Sequence, residues 1–199
     1  MSSYSIESLK RATTCELRVD DLTRALYATD ASIYQSEPAG VAFPRNANEV
    51  SSVIRAAAGA GVPVVPRGAG TGLAGGAVGE GLVLDLARYT RQISELDLAA
   101  RTVRVGAGVV LDQLNAYLKR HGYWFGPDVA TSSRATLGGM IANNSSGARS
   151  PYYGTTVDHV VALEVVLADG TIATVSEGRD DLADKQAAVD GIVERCADE

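Results

Sequence analysis

The sequence predicts an α+β protein made of two packed α/β subdomains, and two runs of residues carry that prediction. Glu49 to Leu86 reads as helix, strand, glycine-rich loop and strand. Ile93 to Val175 opens with a hairpin, passes through a helix and a long run of small polar residues, and returns to strand. No linker-like composition separates the two, and 199 residues are enough for a real core.

In chain order, Ile6 to Ala28 carries apolar residues at helical spacing, with Asp20 or Asp21 as the cap of Leu22 to Tyr27. Ala28 to Tyr34 is rich in turn formers and reads as irregular. Pro44 marks a boundary, and Asn48 is the expected N-cap of a helix over Glu49 to Gly61, whose buried face is Val50, Val53, Ile54 and Ala57. Val62 to Val65 follows as a β-branched strand and Leu82 to Leu86 as the next. The hairpin pairs Ile93–Leu98 with Thr102–Val105 across an Asp97–Arg101 turn. Gly106-Ala107-Gly108 ends it, and Val109 to His121 reads as a helix with Leu111, Leu114, Tyr117 and Leu118 inward. Thr136 to Ala142 suits a short helix, although Gly138 and Gly139 each cost it about 1 kcal/mol relative to alanine. Val157 to Leu167 reads as a buried strand, turning at Ala168-Asp169-Gly170 into Thr171–Val175. Asp180 to Glu199 reads as an acidic amphipathic helix.

Function enters through the glycines between the first two strands. Arg67-Gly68-Ala69-Gly70-Thr71-Gly72 and Gly75-Gly76 give up the side chains a core needs. Such a run suits backbone at positive φ, or amides converging on an anion. The stretch is expected to cradle a pyrophosphate, with Arg67 and the Thr71 hydroxyl as further donors. Gly70 to Gly75 satisfies G-x-G-x-x-G, but a dinucleotide-binding Rossmann loop must run into a helix. Here the chain runs instead through poor helix formers into a strand. No Gly-Lys-Ser/Thr follows, which excludes a Walker loop. An NAD(P)-binding module therefore remains only an alternative reading, and a fragment that binds no cofactor is another. The second small-residue stretch, Phe125 to Gly154, places the amides and hydroxyls of Asn143 to Gly147 together, suited to a polar ring edge or a phosphate.

Composition excludes other classes. A net charge of −6 lacks the basic face that nucleic acid or an anionic membrane would need. Cys15 and Cys196 stand at opposite ends in no metal-ligand spacing, so no metal site is expected and both thiols read as reduced. The N-terminus has no secretory pattern, and the longest apolar run, Val160 to Ala168, is too short to span a bilayer. The expected setting is cytoplasmic, with no transmembrane segment.

PRGAGTGLAGG (Pro66–Gly76), FGPDVATSSRATLGGMIANNSSG (Phe125–Gly147) and YGTTVDHVVALEVVLADG (Tyr153–Gly170) resemble the FAD-binding domain of the vanillyl-alcohol oxidase and para-cresol methylhydroxylase superfamily. Within it they are most similar to FAD-linked oxidases of D-2-hydroxy acids, such as D-lactate, glycolate and D-2-hydroxyglutarate dehydrogenases. The resemblance runs from Ala28 to Val175. It implies residues 31–90 and 91–175 as the two subdomains with FAD between them, after a lead-in over 1–30 and before a tail over 176–199. It implies a pyrophosphate loop at Pro66, Arg67, Gly68, Ala69, Gly70, Thr71, Gly72, Gly75 and Gly76. Pro127, Asp128, Ser132, Thr136, Gly138, Gly139, Ala142, Asn143, Ser145 and Gly147 match the segment lining flavin, ribityl chain and pyrophosphate. Val160, beside His159, matches a strand near the adenine. A 2-hydroxy acid is the implied substrate, and the electron acceptor stays open. The lead-in resembles long members fused to an iron–sulfur domain, so any cluster belongs to a part beyond this chain. Relatives also continue past the position of Glu199 with a substrate cap and the Arg and His used on the acid. The chain is thus expected to be an N-terminal fragment without catalytic residues. His121, ending a helix, and His159, in a strand, are not expected to bind flavin covalently.

Overall fold

A computed structural model describes residues 6–180 and Leu182. The first sheet has the order β1-β2-β4-β3, with β1 at Glu16–Arg18, β2 at Gly40–Phe43, β3 at Val64–Arg67 and β4 at Leu82–Asp85. β4 is parallel to both β2 and β3, while β1 is antiparallel to β2. Every residue of β2 and β4 is buried, because apolar clusters cover both faces of the sheet. On one face Leu9 of α1 (Ile6–Ala12) and Val53 and Ala57 of α3 (Ala47–Gly59) pack on Ala42, Leu82 and Leu84. On the other, Val41, Phe43 and Val83 meet Tyr27, at the end of α2 (Asp21–Tyr27), together with Val65 and Tyr89.

Two expectations change here, and one strand was not foreseen. Ile6 to Ala28 is not one helical segment: Glu16–Arg18 leaves helix to pair with Val41–Phe43, so sheet pairing overrides local spacing. β2 itself is a strand that alternation could not reveal, since both its faces are covered. The cap of α3 is Asn46, whose Oδ1 accepts Glu49 N–H at 2.9 Å; Asn48 lies inside the helix. Asp20 caps α2 as anticipated, accepting from Thr23 N–H at 2.9 Å.

The second half holds the hairpin β5 (Ile93–Asp97) and β6 (Thr102–Val105), then α4 (Leu111–Lys119) and α5 (Leu137–Ala142). Leu111, Leu114 and Leu118 of α4 are buried against Leu137 and Met140 of α5 and against Val103 and Val105. Truncating one of these leucines to alanine costs about 3 kcal/mol. α6 (Ser150–Tyr153) and a 3₁₀ turn (Val157–His159) lead to the sheet β7-β8-β9, at Ala162–Val166, Ile172–Ser176 and Arg179–Asp180. Val157 to Leu167 is therefore not a single buried strand, and His159 sits in the turn. The Asp158 carboxylate nucleates that turn by accepting Thr155 N–H at 2.7 Å and its hydroxyl at 3.0 Å. Val157 and Val161 are 61% and 68% exposed. The turn at Gly170 docks on α3 through Ser51, whose hydroxyl donates to Gly170 O at 2.5 Å. Asp180, the first residue of the predicted tail helix, belongs to β9, and apart from Leu182 the rest of that prediction lies outside the described residues.

Candidate functional site

The loop between β3 and β4 contains no helix and crosses from one parallel strand to its neighbour as irregular backbone. Its shape is held from outside. Arg67, at the end of β3, turns its guanidinium back to donate to Ala77 O at 3.0 Å, Thr29 O at 2.9 Å and Tyr27 O at 3.4 Å. The cation lies 5.1 Å from the centroid of the Tyr27 ring. The Tyr27 hydroxyl donates to Asp85, a buried carboxylate that also accepts from Ala87 N–H at 2.7 Å and Arg88 N–H at 3.0 Å. Burial first, and the Asp85 bond second, push the Tyr27 phenol well above its ordinary range. Arg67 thus braces the loop through three carbonyls.

A strap over residues 27–35 completes the brace. Ala31 N–H donates to Gly70 O at 2.9 Å, and Asp30 accepts Ala77 N–H at 3.4 Å. Gly70 and Gly75 take φ of +67° and +76°, and a side chain on Gly75 would strike the Tyr34 ring. Gly72 and Gly76 face open space. The Thr71 hydroxyl takes no partner among the described residues. The strap was not foreseen as part of the site; its legible trace is the turn-forming run Asp30-Ala31-Ser32, where Asp30 accepts Ser32 N–H at 2.8 Å.

The second small-residue stretch meets this loop at one point. A Cβ on Gly68 would run into Thr136 Oγ1, with Gly139 Cα 3.8 Å away. Thr136 is the N-cap residue of α5 and is 3% exposed, yet its hydroxyl makes no capping bond and has no hydrogen-bond partner among the described residues. α5 is docked by its first two amides: Leu137 N–H donates to Val109 O at 2.8 Å and Gly138 N–H to Ala107 O at 2.9 Å. Gly106 and Gly108 in turn lie against the carbonyls of Thr90 and Leu86. Pieces of backbone at the end of β4, after β6 and at the start of α5 therefore touch without side chains between them.

The other predicted residues divide. Asp128 lies against Gly147 and is bound by Arg149 Nε at 2.6 Å; that ion pair holds its carboxyl below the usual carboxylate range. Asp128 Oδ1 is buried without a partner. Ser132 O receives Asp112 N–H at 3.1 Å, and Ser145 O receives the Thr156 hydroxyl at 2.6 Å, so both backbones serve packing. Asn143 Nδ2 donates to Gly139 O at 2.9 Å, with Ala142 beside it exposed at the end of α5. Pro127 is buried, and Pro66 is exposed within β3. Val160 follows the 3₁₀ turn and lies two residues before β7, with its N–H on Val157 O at 3.2 Å.

The family model described as "FAD binding domain" matches residues 38–176. The chain belongs to this FAD-binding domain family. D-2-hydroxyglutarate dehydrogenase of Pantoea ananatis is 47% identical over 152 residues, covering 75% of this chain and 15% of that protein. Glycolate oxidase subunit GlcD of Bacillus subtilis is 41% identical over 152 residues, covering 75% of this chain and 32% of its own. The chain thus spans about 15% of the hydroxyglutarate relatives it matches. Xylooligosaccharide oxidase from Myceliophthora thermophila superposes with a TM-score of 0.74 at 26% identity, over 88% of this chain and 37% of that one. The fold is the vanillyl-alcohol oxidase and para-cresol methylhydroxylase type, and the cofactor of the family is FAD. A Rossmann assignment fails with it, on the same missing helix.

The residues present fit that cofactor. A buried hydroxyl without a partner, set between Gly68 and Gly139, is what a phosphate-bearing ligand would complete. Among the described residues no helix is long and apolar enough to cross a membrane.

Proposed function

We propose that this chain is the FAD-binding part of a flavin-dependent oxidoreductase acting on a D-2-hydroxy acid of the lactate, glycolate or 2-hydroxyglutarate class. The observation that carries the reading is the contact of Gly68 with Thr136, which joins the two glycine-rich stretches around a buried hydroxyl with no partner. The named activities of the relatives supply the substrate class. In this reading residues 31–90 and 91–175 are the two subdomains, flanked by a lead-in and a tail. FAD, when bound, accepts the hydride from the carbon bearing the substrate hydroxyl. The loop from Gly68 to Gly76 binds the pyrophosphate, Thr136 donates its hydroxyl there, and Asp128 to Gly147 lines the rest. Arg67, Asp30 and Tyr34 keep the loop open and ordered.

Cofactor attachment is non-covalent in this proposal. His159 Nε2 is bonded to Tyr153 O at 2.7 Å, and the His121 ring lies tilted against Tyr117 with centroids 5.7 Å apart, so both rings serve packing. The groups that take the substrate's proton and clamp its carboxylate are assigned outside this chain. A cytoplasmic setting accords with Cys15 as a buried free thiol, which burial pushes up to about 11.

Titrating FAD into the purified chain tests the reading. A bound flavin spectrum is expected, with all colour released on acid precipitation. With D- and L-2-hydroxy acids and a redox dye, the chain alone is expected to give no stereospecific dye reduction. A chain that binds no flavin would support the cofactor-free reading, and yellow colour kept in the acid pellet would refute non-covalent attachment.

A further inference from the structure

Arg149 lies just past the Phe125–Gly147 motif, and its contacts lead back to it. Its Nε donates to Asp128 Oδ2 at 2.6 Å, and its guanidinium carbon stands 5.7 Å from the Tyr153 ring centroid. Asp128 uses one oxygen for this pair. The other, Oδ1, is shut from solvent with no partner among the described residues, and Gly147 packs on it so closely that a side chain there would collide. A charged oxygen in that condition is costly, and the cost falls once a donor arrives. Position 147 carries no side chain, which is what leaves room for the carboxylate oxygen there. The turn at Gly147 is held by its N–H on Ser150 Oγ at 2.9 Å.

Resting on the flavin reading above, we propose that Arg149 is a positioning residue: it fixes the Asp128 carboxylate so that Oδ1 accepts a hydrogen bond from an O–H or N–H donor of the cofactor. Two roles follow for the guanidinium. It orients the carboxylate through a charge-assisted bond, and it keeps the group ionised, hence a pure acceptor. Asp128 is accordingly held below the usual carboxylate range, chiefly by the Arg149 hydrogen bond. The other titratable groups near the pair are Tyr153, under the guanidinium, and Asp158 and His159 in the turn whose imidazole binds Tyr153 O.

The test is FAD titration of the full chain and of Arg149→Gln, Arg149→Lys and Asp128→Asn, with the melting temperature of each measured without FAD. Arg149→Gln and Asp128→Asn should each weaken FAD binding about tenfold, with Lys recovering part of the loss and melting little changed. The acid limit of binding gives a second readout. Ionised Asp128 is the binding form, so affinity falls as pH drops through its pKa. Without Arg149 that fall should move up into the ordinary carboxylate range near about 4, relative to the unaltered chain measured alongside. Unchanged affinity in Arg149→Gln, or a loss matched by an equal loss of melting temperature in all three variants, overturns the proposal. Absence of flavin binding in the unaltered chain would instead overturn the flavin reading, and this proposal with it.

Discussion

The two glycine-rich stretches use the same residue for different physical ends. In the loop after β3, Gly70 and Gly75 sit at positive φ, so glycine is required by backbone conformation. In the stretch that begins α5, none of Gly138, Gly139 and Gly147 takes a positive φ, and Gly138 and Gly147 are pressed against Ala107 and Asp128. There glycine is required by proximity. The first stretch is a shape imposed by Arg67, Asp30 and Tyr34 from outside; the second is a seam that joins the two halves of the molecule. Glycine content alone does not distinguish them, and the difference sets which substitution breaks what.

The seam should be the more fragile. A Cβ on Gly138 lies 2.7 Å from Ala107 Cβ and 3.0 Å from its carbonyl oxygen, and neither neighbour is the end of a flexible side chain. Gly138→Val should therefore cost about 3 kcal/mol in stability, lowering the melting temperature by about 10 °C and abolishing FAD binding with the packing. Circular dichroism melts without FAD check this. An unchanged melting temperature would show that α5 parts from the Gly106–Gly108 turn without penalty, and the distinction between shape and seam would fail.

Within the loop the comparison can be sharpened by two neighbours. Gly70 is at φ +67° with the Arg67 guanidinium against it, whereas Gly72 has nothing within 4 Å and no positive φ. Gly70→Val should lose about 2 kcal/mol of stability as well as FAD affinity. Gly72→Val should melt like the unaltered chain and still bind FAD at least tenfold more weakly, about 1.4 kcal/mol, because only a ligand would meet the new side chain. Full affinity in Gly72→Val would put the pyrophosphate elsewhere.

How much of this was legible follows from the same contrast. Sequence spacing revealed α4, the β5–β6 hairpin and the strand-loop-strand run, since each declares itself by a periodicity or by turn residues over a few positions. It failed at Glu16–Arg18 and Gly40–Phe43, whose strand character comes from each other, across a long separation in the chain. It also failed at Val157–His159, where the Asp158 side chain captures the backbone before a strand can form. The glycine-rich stretches themselves were readable because glycine is informative by its cost. The brace was not: Tyr27, Asp30 and Tyr34 look like ordinary turn and helix residues, and only folding brings them over the loop. Arg67 was visible as a cation in a phosphate loop, but its bracing role was not, since its three carbonyl partners are set by tertiary structure.

The smallest expected effect is also the one that most directly separates ligand from scaffold. Thr136 Oγ1 lies where loop and seam touch, is buried, and bonds to nothing among the described residues. A hydroxyl left unsatisfied in the interior costs about 1–3 kcal/mol, so Thr136→Val replaces a liability with a methyl group of nearly the same shape. Stability should rise by about 1 kcal/mol, or about 3 °C in melting temperature, less whatever the closer contact with Gly68 takes back. FAD affinity should move the other way, falling about fivefold as the donor to the phosphate is lost. Thr136→Ser, which keeps the hydroxyl, should keep the affinity. A scaffold role alone moves stability and affinity together, whereas a ligand role moves them in opposite directions, so a Thr136→Val protein that melts lower and binds less would show that this hydroxyl belongs to the seam and not to the cofactor.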